Sequence, residues 1–200
     1  MTIEANNRKA DHPIHPIFLE RWSPRSFTGE AMPEADLLTM FEAARWAQSA
    51  SNQQPWRFSY ALRTDANWQQ YVDFLVEGNQ PWAQNAAALV IVASKLKTSP
   101  ADGSAPKPIY THSLDVGAAM QAFTLQATLM GYVAHPMAGI HTGKIREDLG
   151  IPEDEYKVEA AIAVGWLAPK EMLSERFRGR EVQSQRKPLA ETVFKGRFEA

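Results

Sequence analysis

The chain has no cysteine among its 200 residues. That removes disulfides, thiolate metal sites, iron–sulfur ligation, cysteine nucleophiles and dithiol redox chemistry together. Redox work would therefore need a cofactor. Long hydrophobic runs are also missing: Ala86 to Ala93 and Ala160 to Ala168 are less than half the ~20 residues of a membrane helix. The polar start, Met1 to Asp11, lacks the apolar stretch of a secretory signal. No membrane role is expected, and the cytoplasm is the expected location. Neither sign of charge dominates: a net charge of −2 gives no broad cationic field, so nucleic acid is not an expected partner. The sequence has no G-x-G-x-x-G or G-x-x-x-x-G-K loop, no G-x-S-x-G elbow and no H-E-x-x-H pair, so the usual signatures of dinucleotide, P-loop, serine-hydrolase and zinc chemistry are lacking. Its five histidines are scattered, and no metal site is expected.

What remains is a globular composition, with 44% hydrophobic and 22% charged residues, which excludes wholesale disorder. The length suits one compact domain. Residues 1–16, with the doubled His-Pro of His12-Pro13 and His15-Pro16, read as a loosely ordered polar arm, because each proline biases its predecessor away from helix. From Pro33 to Ala47 the spacing of Leu37, Leu38, Phe41 and Ala44 predicts an amphipathic helix, with Pro33 in its first position. Strands are predicted over Phe58 to Leu62, Leu89 to Ala93, Val133 to Pro136 and Val158 to Val164. Short helices are expected over Trp68 to Glu77 and His141 to Leu149, and a mobile surface loop over Lys97 to Pro108. Leu114 to Met130 is apolar on nearly every face, the mark of a helix buried in the middle of something. Residues 170–200 carry eight basic and five acidic side chains and few apolar ones. They read as an arm lying on another surface, most economically a second copy of the subunit.

Two stretches carry candidate chemistry. In an extended Arg21-Trp22-Ser23-Pro24-Arg25 segment, residues 21, 23 and 25 point the same way, so two guanidinium groups and a hydroxyl converge as a phosphate site would require. The same residues also suit a solvated arginine pair beside a turn. Ser49-Ala50-Ser51-Asn52-Gln53-Gln54 offers amides and hydroxyls for the edge of a heteroaromatic ring. It equally suits a polar helix-to-strand connection.

Together and in this order, these residues resemble the nitroreductase family of FMN-dependent oxidoreductases. Arg21, Ser23, Arg25 and Phe27 match one motif of that family, and Ser49, Asn52, Gln54, Pro55 and Trp56 match another. Asp115-Val116-Gly117-Ala118-Ala119 resembles its dimer helix, and Pro136-Met137-Ala138-Gly139 resembles the loop beside the flavin ring. Val164-Gly165-Trp166 and a tail containing Arg186-Lys187-Pro188-Leu189 resemble the end of such chains. The resemblance implies an α+β fold, with a central, mostly antiparallel sheet flanked by helices in an intertwined homodimer, residues 17–169 forming the FMN-binding domain. It implies that Arg21, Ser23 and Arg186 hold the phosphate and ribityl chain and that Arg25 reaches the pyrimidine edge. Ser49, Ala50, Asn52 and Gln54 would come from the other subunit, and Met137, Ala138 and Gly139 would pass near the ring. The implied function is reduction of nitroaromatics, quinones or related electrophiles, as small-molecule acceptors, by NAD(P)H in a ping-pong cycle on FMN. The alternatives are a narrower redox reaction (enone reduction, heterocycle oxidation or dehalogenation) and a flavin-binding dimer without turnover. Gln48, Ala138 and Ser184 depart from the family pattern, standing at positions of a proline, an acid in some relatives, and a tail lysine.

Overall fold

A computed structural model describes residues 7–100 and 102–197. In chain order its elements are α1 (Ile17–Glu20), α2 (Glu34–Arg45), β1 (Trp56–Leu62), α3 (Trp68–Asp73), α4 (Gln80–Ala83), β2 (Ala88–Lys95), α5 (His112–Leu129), β3 (Val133–Met137), α6 (Thr142–Leu149), β4 (Tyr156–Gly165) and α7 (Glu175–Arg178). The strands form one sheet in the order β1-β2-β4-β3, and all three pairings are antiparallel. The expected α+β class and the four predicted strands are present.

The sheet is the middle of three layers. Because strand side chains alternate, Val90 and Val92 of β2 and Ile162 and Val164 of β4 face α2 and α5, while Leu89, Ile91, Ala161 and Ala163 face Tyr71, Phe74, Trp82 and Ile145. Burial on both faces explains why β2 is one continuous apolar run and not an alternating pattern. On the first face Leu37, Met40 and Ala44 of α2 pack with Val116, Ala119, Phe123 and Ala127 of α5. The Phe41 ring bridges Phe58 and Phe123, at 5.2 Å to each. Pro33 precedes α2 as its cap, with ψ 135, one position earlier than the sequence suggests.

The all-apolar character of α5 resolves into two faces. Val116, Ala119, Phe123 and Ala127 are buried against the sheet, whereas Leu114 and Leu129, near its two ends, are 74% and 65% exposed, and Tyr110 just before it is 97% exposed.

Three expectations change. The described part of the N-terminal arm is tied down and not loose: Arg8 Nη1 donates to the carbonyls of Leu19 (3.0 Å) and Arg21 (2.8 Å), and Asp11 Oδ2 accepts from the Leu189 amide at 3.2 Å. The Lys97–Pro108 loop is closed at its base by a bridge between those two residues. The C-terminal arm begins on its own chain, since Leu173 and Phe177 are buried in the core beside Trp82 and Ile145. Two apolar anchors in a mostly basic stretch are enough to hold its first turns down.

Candidate functional site

The chain runs from α1 into an extended stretch at Arg21, whose ψ is 123. There Arg21, Trp22, Ser23 and Arg25 line one cavity of about 270 Å³, joined by Arg8, His135, Arg180, Val182, Ser184 and Arg186. Among the described residues ten line it, of which five are arginines and none is an acid. That donor set suits a phosphate or another compact dianion. The volume is just below the ~300–1,000 Å³ usual for small-molecule sites, so a single chain encloses part of a ligand.

Gathering so many cations carries a cost. Burial, followed by the charge of Arg186, pushes the Arg21 guanidinium below its ordinary value. Arg8 is lowered by burial and by the charges of Arg186 and Arg21. A buried carboxylate nearby, Glu181, is turned to backbone: its Oε1 accepts from the amides of Arg25 (2.8 Å) and Ser26 (2.9 Å), and its Oε2 accepts from Arg25 again at 3.0 Å. Arg186 Nη1 lies 3.1 Å from Ser184 Oγ.

His135, on edge strand β3, forms the cavity wall. Its ring lies against Trp82 with centroids 4.6 Å apart, and the Arg25 guanidinium stands 5.9 Å from the Trp82 ring. Nδ1 is 2.9 Å from the Pro24 carbonyl, which can only accept, so Nδ1 carries the proton. Burial, assisted by the Arg25 charge, lowers the imidazole to about 4. The ring is therefore neutral near pH 7.

The Ser49–Gln54 loop lies elsewhere, before β1 at the opposite edge of the sheet from β3. Three strand intervals of ~4.8 Å separate those edges, and no loop residue lines the cavity. Ser51, Asn52 and Gln54 have φ of 49, 52 and 48, a left-handed conformation costing non-glycine residues roughly 1–3 kcal/mol each. The surroundings hold it: Asp115 Oδ2, in the first turn of α5, accepts from the Ala50 amide (3.2 Å) and Thr111 Oγ1 (2.8 Å), and Ser49 Oγ accepts from the Gln54 amide at 3.0 Å. Ala50, Asn52 and Gln54 are exposed.

Met137, Ala138 and Gly139 follow His135 at the end of β3. Met137 is buried in the core, and Ala138 is exposed. The Gly139 carbonyl accepts from the Val76 amide and from Asn79 Nδ2, both at 3.1 Å. A Cβ on Gly139 would stand 2.5 Å from Asn79 Nδ2 and 2.9 Å from Val76 Cγ2, so only glycine fits without displacement. Gly139→Ala is expected to lower stability by roughly 1–3 kcal/mol, the usual cost of overpacking; an unchanged denaturation midpoint would refute the contact.

The structure thus brings Arg21, Ser23, Arg25 and Arg186 together and leaves Ser49, Ala50, Asn52 and Gln54 in a separate loop. Sequence reasoning missed Arg8, His135, Arg180 and Glu181. His135 adjoins the Pro136-to-Gly139 motif, which is a usable signal; Arg8 has none in its own surroundings.

The Nitroreductase family profile matches residues 19–166. Among solved structures, an oxidoreductase containing FMN is 48% identical over 98% of each chain, with a TM-score of 0.94. A Desulfovibrio desulfuricans protein described as a nitroreductase in complex with FMN is similar in fold, at 23% identity, 95% and 100% coverage of this chain and that one, and a TM-score of 0.72. A Streptomyces coelicolor protein with the name NADH dehydrogenase/NAD(P)H nitroreductase is 32% identical over 77 residues, a match spanning 38% of this chain and 38% of that relative.

Proposed function

This chain belongs to the nitroreductase family, and on that premise we propose that it is an FMN-dependent oxidoreductase using NAD(P)H to reduce nitroaromatics, quinones or related electrophiles in a ping-pong cycle. The observation that carries the reading is the arginine-rich cavity where Arg21, Ser23, Arg25 and Arg186 converge, taken with the 48% identity to an oxidoreductase containing FMN. The cavity's donors fit the phosphate end of such a cofactor. Bound FMN would supply the two-electron chemistry that a cysteine-free chain lacks in its side chains.

The protein's own part is binding, orientation and electrostatics. Arg21, Ser23 and Arg186 would hold the phosphate and ribityl chain. Arg25 would present a fixed cation to the pyrimidine edge, held in place through its backbone by Glu181. His135, neutral and donating to the Pro24 carbonyl, holds the backbone between Ser23 and Arg25. Met137, Ala138 and Gly139 would border the ring.

Ser49, Ala50, Asn52 and Gln54 would reach the ligand from a second subunit, since their loop lies at the far edge of the sheet from the cavity of their own chain. The exposed apolar side chains Tyr110, Leu114 and Leu129 along and before α5 would be covered in that homodimer. No helix among the described residues is long and apolar enough to cross a membrane, and a cytoplasmic location is part of the proposal.

The test is an absorption spectrum of the purified, FMN-reconstituted protein under anaerobic conditions. Bleaching on addition of NAD(P)H and recovery on adding a nitroaromatic or quinone are expected. A protein that cannot be loaded with FMN, or whose loaded flavin never bleaches, overturns the reading. Arg25 adds a more selective prediction: a fixed cation favours the electron-richer form of the cofactor. Arg25→Gln should lower the flavin's reduction potential by about 20–40 mV, equivalent to roughly 1–2 kcal/mol. Potentiometric titration with FMN still bound checks it, and an unshifted potential refutes the assignment.

A further inference from the structure

The anion cavity is built from both ends of the chain. Arg8, from the N-terminal arm, reaches the Leu19 and Arg21 carbonyls with Nη1, while its Nε donates to the Ser184 carbonyl at 2.9 Å. One guanidinium thus fastens the start of the arginine segment to the C-terminal tail. The tail is fastened a second time by Glu181, whose carboxylate takes the amides of Arg25 and Ser26. Outside the cavity the two ends meet again, where Gln185 Nε2 donates to the Asn7 carbonyl at 3.3 Å and the Leu189 amide donates to Asp11.

These ties act against a charge cost. Arg8, Arg21 and Arg186 repel one another, and Arg25 and Arg180 line the same space. Closing the two ends over the cavity concentrates that repulsion, and a bound dianion relieves it. We propose that the two chain ends form one clamp over the anion cavity, in which Arg8 and Glu181 are positioning residues that couple docking of the ends to recognition of a phosphate monoester. The inference rests on the FMN reading for the identity of the ligand, but not for the clamp itself. Coupling of this kind is reciprocal: whatever the closed clamp adds to phosphate affinity, the phosphate adds to closure.

Arg8 acts here through geometry. Its planar fork serves carbonyls on two separate segments, which a lysine ammonium on a flexible stem does not reproduce. The readout that isolates this role is the preference for FMN over riboflavin, which differ by the phosphate alone. In the full-length protein, Arg8→Ala and Arg8→Lys should each reduce that preference about tenfold, the scale of a charged hydrogen bond, with riboflavin affinity unchanged. Glu181→Gln, which turns an amide NH₂ toward the Arg25 amide, should move it in the same direction. Hydrogen exchange supplies a second readout: FMN and inorganic phosphate should each protect the amides of residues 183–187 in the wild-type protein and fail to do so in Arg8→Ala.

A wild-type FMN preference in Arg8→Ala overturns the proposal, as does its full restoration in Arg8→Lys or an equal loss of affinity for both flavins. If the wild-type protein binds neither flavin, the FMN reading falls, and phosphate alone decides the clamp. Arg8-dependent protection of 183–187 by phosphate then upholds it, and no protection sinks it.

Discussion

Arg21→Ala is expected to weaken FMN binding by about 10- to 100-fold while leaving the unliganded protein at least as stable as before. Charged hydrogen bonds contribute roughly 1.5–3 kcal/mol each, and each ~1.4 kcal/mol is a factor of ten in affinity. The second half of the expectation follows from electrostatics. Arg21 is held beside Arg186 and Arg8 with its charge disfavoured by burial and by Arg186, so removing it relieves repulsion in the empty cavity. Its backbone carbonyl, which accepts from Arg8 Nη1, survives the substitution. The signature is flavin lost on gel filtration, a melting temperature without FMN no lower than that of the wild type, and activity recovered with excess FMN. Normal flavin retention in Arg21→Ala would falsify the phosphate assignment.

Acidification should destabilise the protein through His135, by roughly 3 kcal/mol between pH 6.5 and pH 4. The ordinary imidazole value of 6.5 falls to about 4 in the folded chain, first through burial and then through the Arg25 charge, against the opposing hydrogen bond to Pro24. Between those values the unfolded chain binds a proton that the folded chain refuses, so stability rises with pH across the window. The contribution is complete above the unfolded value, declines below it at ~1.4 kcal/mol per pH unit, and is gone below the folded value. Denaturant titrations of wild type and His135→Gln at pH 7, 5.5 and 4.5 isolate this component. Parallel pH dependence in the two proteins would show that His135 titrates normally.

The strands were legible because period-2 patterning and apolar runs are local properties. Val90 and Val92 alternate with Leu89 and Ile91 whatever lies around them, and both sets are buried. The arginine segment was legible only in part: Arg21, Ser23 and Arg25 line the cavity, but so does Trp22, so the lining does not follow strict alternation. Where the sequence misled, tertiary partners intervened. Residues 1–16 look loose in isolation because Arg8 finds its partners at Leu19, Arg21 and the distant Ser184. The tail looks coreless because Leu173 and Phe177 complete a core assembled by α3, α4 and α6.

Family resemblance implied the α+β class, while composition and pattern alone determined that this chain carries no thiol chemistry, has four strand-forming segments and places Arg21, Ser23 and Arg25 at alternate positions. Each of these depends on residue identity or on neighbours a few positions apart. Only the tertiary structure decided that Glu181 holds the backbone of Arg25 and Ser26, that Arg8 joins the two chain ends, and that His135 is neutral against Trp82. The Ser49–Gln54 loop was likewise assigned to the far edge of the sheet by strand order. Those outcomes turn on desolvation and on hydrogen bonds between residues more than a hundred positions apart, and such energies exist only once the chain has closed on itself.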